Sequence, residues 1–99
     1  MRLTERQRNI IRETTKEIFG IDAEVKLFGS RVDDKLKGGD IDLLIECQSP
    51  LKDVGLFSAK LVALLQQRIG DQKIDVLCVW PGIALSPAHE SAVKNGVSI

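Results

Sequence analysis

The stretch LFGSRVDDKLKGGDIDLLIE, residues 27–46, reads as the end of one strand, a Gly-Ser turn, a polar loop and the start of a second strand. In a strand, side chains alternate between faces. Ile41, Leu43, Ile45 and Cys47 therefore share one face of IDLLIEC, and Asp40 and Asp42 point to the other. Two carboxylates this close repel, raise one another's pKa and weaken the fold unless something positive sits between them. The strand opens at a cost that calls for a reason.

Outward from this stretch the chain alternates helices and strands. Thr4 and Gln7 form a capping box ahead of Ile10, Ile11, Ile18 and Phe19, and Gly20 offers a stop, which predicts a first helix. AEVKLF alternates Val25 and Leu27 with charged residues and is a short strand ending at Gly29. From Val32 to Gly39 the residues are polar, which predicts a surface loop after one helical turn opening at Ser30. Pro50 ends the IDLLIEC strand. From Asp53, the residues Val54, Phe57, Leu61, Leu64, Leu65 and Ile69 mark the apolar face of a helix that stops at Gly70. KIDVLCVW is a third strand closed by Pro81-Gly82, and SPAHESAVKN is a last short helix with Ser86 at its cap and Pro87 in its first turn. The order α-β-β-α-β-α predicts an α/β (α+β) fold: a small mixed sheet of about three strands, with helices packed mainly on one face.

Topology then gathers the unusual residues. A helical crossover between the second and third strands makes them parallel, so their N-terminal ends share one sheet edge. The short return from the first strand suits an antiparallel neighbour, whose C-terminal end comes to that same edge. Gly29, Ser30, Asp40, Asp42 and Asp75 are expected to converge there, with Asp75 on the face of Asp40 and Asp42.

Composition narrows what such a patch can serve. Ninety-nine residues suit one domain, residues 1–99, and 43% apolar with 28% charged residues is an ordinary globular balance. Fourteen basic and fourteen acidic side chains cancel, which argues against a duplex nucleic acid partner held through many phosphates. There is neither a signal-like N-terminus nor an apolar run near the roughly 20 residues that span a bilayer, so no membrane partner is expected and the expected location is cytoplasmic. Cys47 and Cys78 lack metal-site spacing and sit in apolar runs, as buried reduced thiols do.

A divalent cation would relieve the repulsion. Mg²⁺ takes hard oxygen ligands and is usually shared between a few carboxylates and substrate phosphates. Two such ions, about 3.5–4 Å apart, stabilise the attacking and leaving oxygens of an in-line displacement at phosphorus. Asp75 would complete the ion nearer the attacking hydroxyl and help take its proton. Gly29 lets the backbone approach a phosphate, Ser30 offers a hydroxyl and free N–H groups, and Arg31 adds charge at that phosphate end.

The Gly-Ser turn, the later Asp-x-Asp and the third strand-borne Asp resemble the nucleotidyltransferase fold of the DNA polymerase beta superfamily, specifically its small stand-alone members, the minimal nucleotidyltransferases. The resemblance spans nearly the whole chain. It implies transfer of a nucleoside monophosphate from a nucleoside triphosphate, ATP being the expected donor, to a hydroxyl. It implies Asp40 and Asp42 as ligands of both Mg²⁺ ions, Asp75 as the third ligand, and Gly29-Ser30 as the triphosphate contact. Minimal members often accompany a HEPN-domain protein, a helical RNase-like toxin, and act as its antitoxin by adding AMP to it, which makes such a protein the expected partner. The pattern also departs from many relatives. Nine residues separate Ser30 from Asp40, one fewer than is common, and Gly39 stands where a serine often precedes the first aspartate. Val32-Asp33-Asp34 replaces small residues and a second arginine.

Plainer readings stand beside these. A single Asp-x-Asp often serves as turn and cap residues, and Lys35 and Lys37 read as solvated loop charges. His89 reads as a surface side chain, and Trp80 as a lid on the core edge. The alternative to an enzyme is a binding module of the same fold that neutralises a partner by direct contact. Acceptor choice has no dedicated domain and would come from loops, self-association into a homo-oligomer, or a partner surface.

Overall fold

The first helix, α1 (Glu5–Phe19), begins where Thr4 Oγ1 accepts from the Gln7 N–H at 3.0 Å and Gln7 Oε1 accepts from the Thr4 N–H at 2.9 Å. Two of the otherwise unpaired N–H groups at the helix start are thereby satisfied. In this computed structural model, which describes residues 1–33, 35 and 39–99, the remaining elements follow in chain order. They are strand β1 (Glu24–Phe28), a 3₁₀ turn (Gly29–Val32), strand β2 (Ile41–Glu46), helix α2 (Val54–Ile69), strand β3 (Ile74–Val79), helix α3 (Pro87–Asn95) and strand β4 (Val97–Ser98). The turn opens at Gly29 rather than at Ser30. The loop expected from Val32 to Gly39 lies partly outside the described residues, Lys37 with it.

The sheet order is β3-β2-β1-β4. β2 runs parallel to β3 and antiparallel to β1, the mixed arrangement expected from the helical crossover and the short return. The fourth strand was not legible in the sequence. Its two residues pair with Lys26 and Leu27 on the outer edge of β1, too short a run to show an alternating pattern.

Two faces of unequal cover result. Ile11 of α1 and Leu61 and Leu65 of α2 close over Val25, Leu27, Ile41, Leu43, Ile45 and Cys78, and Trp80 packs against the rim of this main core. On the other face α3 contributes Ala92 to a small cluster with Leu44 and Val79. α3 begins at a Ser86 cap in which His89 fills the place usually held by Glu or Gln, its Nδ1 lying 2.7 Å from Ser86 Oγ. His89 is thus a capping residue and not a free surface side chain.

The two buried threonines of α1 are satisfied. Buried Thr15 donates to Ile11 O at 2.8 Å, while Arg68 of α2 donates to buried Thr14 at 2.8 Å and pairs with Glu17 at 2.7 Å, joining the two helices. Cys47 and Cys78 are both buried and unpaired as disulfides. Burial pushes the Cys47 thiol up to about 11, with a smaller contribution from Cys78, and burial raises the Cys78 thiol as well. Among the described residues no helix is long and apolar enough to cross a membrane.

Leu65 is fully buried at the centre of the helix-covered face. Leu65→Ala is expected to lower unfolding stability by about 2–5 kcal/mol through lost burial and a residual cavity, read from the urea midpoint.

Candidate active site

Burial of Ile41, Leu43 and Ile45 beneath the helices forces Asp42 to the opposite face. Strand pairing then decides its neighbours. Asp42 lies opposite Phe28 of β1 on one side and opposite Asp75 of β3 on the other. The chain leaves β1 at Phe28 directly into Gly29, so the Gly-Ser turn, Asp42 and Asp75 meet at one edge, as the topology argument expects.

Gly29 is held against the first of these acids. Its φ of +77° is a conformation that side-chain-bearing residues rarely adopt. A Cβ there would overlap Asp42 Oδ2 and stand 3.1 Å from Asp42 Cγ. The close approach that requires glycine is thus made by the Asp42 carboxylate, a constraint additional to the phosphate approach anticipated from the sequence.

Asp42 has its pKa raised from the ordinary 3.8. Burial is the leading cause, followed by the negative charges of Asp75 and Asp40 and a hydrogen bond shared with the Asp75 side chain; Lys73 acts weakly in the other direction. Asp40 stands slightly apart, with Oδ2 3.5 Å from Lys73 Nζ at a position about half exposed. As the side chains stand, no group of three His, Cys, Asp or Glu among the described residues is arranged to hold a metal ion. The donor chemistry nevertheless suits Mg²⁺: hard carboxylate oxygens on adjoining strands, two of which share a hydrogen bond where a cation would otherwise separate them.

Ser30 follows Gly29 in the same turn and is partly buried. Arg31, expected beside the phosphates, is turned inward. Its Nη1 donates to Arg2 O at 2.9 Å, and its Nη2 donates to Gly39 O and to Gln72 Oε1, both at 3.0 Å. Two residues that sequence reasoning passed over also belong to this edge. Lys73 is the ion-pair partner of Asp40, and its place just before IDVLCV could have marked it. Arg2 pairs with the Arg31 backbone, its N–H donating to Arg31 O at 2.8 Å, and its Nε and Nη2 are buried without a hydrogen-bond partner.

The raised Asp42 pKa gives a signed expectation. Between pH 3.8 and the higher folded value the native state holds more protons than the unfolded chain, so stability falls as pH rises through that window. At neutral pH without metal, Asp42→Asn is expected to melt a few degrees above wild type, and the gain should shrink toward zero as pH approaches about 4. Thermal melts across that range check both the sign and the window. Gly29→Ala is expected to melt below wild type, because the added methyl meets the Asp42 carboxylate and the backbone conformation becomes strained.

No individual curated protein matches the chain. The family model described as nucleotidyltransferase domain, however, matches residues 8–96, from the first turns of α1 to the glycine that ends α3, and so takes in every strand-borne acid at this edge. With that match and the mixed sheet above, the chain belongs to the nucleotidyltransferase domain family of the DNA polymerase beta superfamily.

Proposed function

We propose that this nucleotidyltransferase-domain protein moves a nucleoside monophosphate, AMP from ATP, to a hydroxyl acceptor in a Mg²⁺-dependent reaction. The observation that carries the reading is the register that sets Asp42 beside Asp75 and against Gly29 at one sheet edge. Asp42 and Asp75 would hold the metal, joined by Asp40 on release from Lys73, with two ions as the expected complement. When bound, Mg²⁺ neutralises phosphate charge and favours ionisation of the attacking hydroxyl.

The chain's own groups do the rest. Gly29 and Ser30 receive the triphosphate, while Arg31 stays committed to protein oxygens behind the turn. Asp75, exposed beside Asp42, is the group that takes the hydroxyl proton as oxygen bonds to the α-phosphorus and pyrophosphate leaves. The acceptor is expected on a protein partner, a helical RNase-like toxin of the HEPN type, which the transfer would silence.

A second reading draws on the Asp40–Lys73 ion pair, which ties up one of the three acids. In it the chain neutralises its partner by stoichiometric contact alone.

Incubation with α-labelled ATP, Mg²⁺ and the partner separates the two. Wild type should label the partner, and Asp42→Asn should label it at least about 100-fold more slowly while still folded, as loss of a metal-binding acid at phosphorus implies. Neutralisation of the partner by wild type without any transfer of label would sink the enzymatic reading and leave the binding module.

A further inference from the structure

Arg31 carries the charge a phosphate would want, yet its two Nη groups are committed elsewhere, and its Nε is buried without a hydrogen-bond partner. Three oxygens receive them, and the three belong to different segments: Arg2 before α1, Gly39 at the entry to β2, and Gln72 at the entry to β3. Gly39 immediately precedes Asp40, and Gln72 lies three residues before Asp75. The Gln72 segment is anchored in turn to α2. Gln72 Nε2 donates to Ile69 O at 3.3 Å, and Gln66 Nε2 donates to Gln72 O at 3.1 Å.

β2 and β3 are closed at each end by a backbone hydrogen bond. At the far end the Cys47 N–H donates to Val79 O at 2.9 Å, and at the acid-bearing end the Ile41 N–H donates to Lys73 O at 2.9 Å. Only the second of these has a guanidinium bridging the residues just outside it. The planar fork of arginine can address several oxygens in fixed directions, which a lysine ammonium cannot reproduce.

The geometry points to Arg31 as a positioning residue: a clamp across the entries to β2 and β3 that sets the separation of Asp42 and Asp75, with Gln72 as its side-chain partner. The role deepens the nucleotidyl transfer reading and rests on it only for its consequence, since the clamp acts in the metal-free protein. Small errors in the placement of reacting groups are costly, so a loosened clamp should reduce turnover more than nucleotide affinity.

Amide hydrogen exchange on the metal-free protein tests this with Arg31→Ala, Arg31→Lys and Gln72→Ala. Exchange at Ile41 should accelerate about tenfold or more in both Arg31 variants and less in Gln72→Ala, while exchange at Cys47 stays within about twofold of wild type. Mn²⁺ affinity, followed by water proton relaxation, should weaken several-fold in the same order. In the transfer assay kcat should fall with KM for ATP little changed. Unchanged exchange at Ile41, or equal acceleration at Ile41 and Cys47, would overturn the clamp. A rise in KM alone, with Ile41 still protected, would make Arg31 an ordinary phosphate contact. Absence of transfer by wild type would count against the proposed function and leave the exchange ratio to decide the clamp.

Discussion

Everything at the acid-bearing edge depends on the burial of three side chains of β2. Ile41, Leu43 and Ile45 are fully buried, and a strand that commits its odd-numbered residues to the core commits the even-numbered ones to the other face. A slip of one residue would drive Asp42 into the hydrocarbon and lift all three out of the core that α1 and α2 cover. The register therefore cannot drift. Hydrophobic packing, on the side of the sheet away from Asp42 and Asp75, holds together two carboxylates that would otherwise separate.

Much of this was legible because it follows from periodicity. The alternation within IDLLIEC and KIDVLCVW gives the faces, and a helical crossover of this length gives parallel strands, so Asp42 and Asp75 could be placed together before any coordinates. The parallel ladder, which sets Asp42 opposite Asp75, agrees with that placement. What escaped has a different physical character. Arg31 finds two of its three acceptors on main-chain carbonyls, which every residue carries and no pattern marks. β4 is too short for periodicity, and its pairing with β1 depends on where α3 delivers the chain. The capping role of His89 was hidden because imidazole is an unusual occupant of that position.

The two faces of the sheet divide the labour. One is sealed by α1 and α2, with Arg68 donating to Thr14 between the helices and Thr15 donating to Ile11 O within α1. The other is covered in part by α3, and its uncovered end carries the acids. A carboxylate whose pKa is raised by burial and by like charges is a local weakness that the sealed face must offset. The requirement for glycine at residue 29 has the same origin, since the turn and Asp42 compete for one volume.

The order β3-β2-β1-β4 leaves β3 as an outer strand with no further strand paired to it among the described residues. Its six residues, IDVLCV, carry a single charge, on Asp75. Open edges of this composition invite pairing with other chains, and a charge on such a strand is what discourages it. Asp75 therefore supplies the charge that works against such pairing. Neutralising it would remove a carboxylate of the proposed site together with that edge charge, so a variant made there would confuse lost chemistry with lost dispersity. Asp42, on an interior strand, is the cleaner position for testing the proposed site.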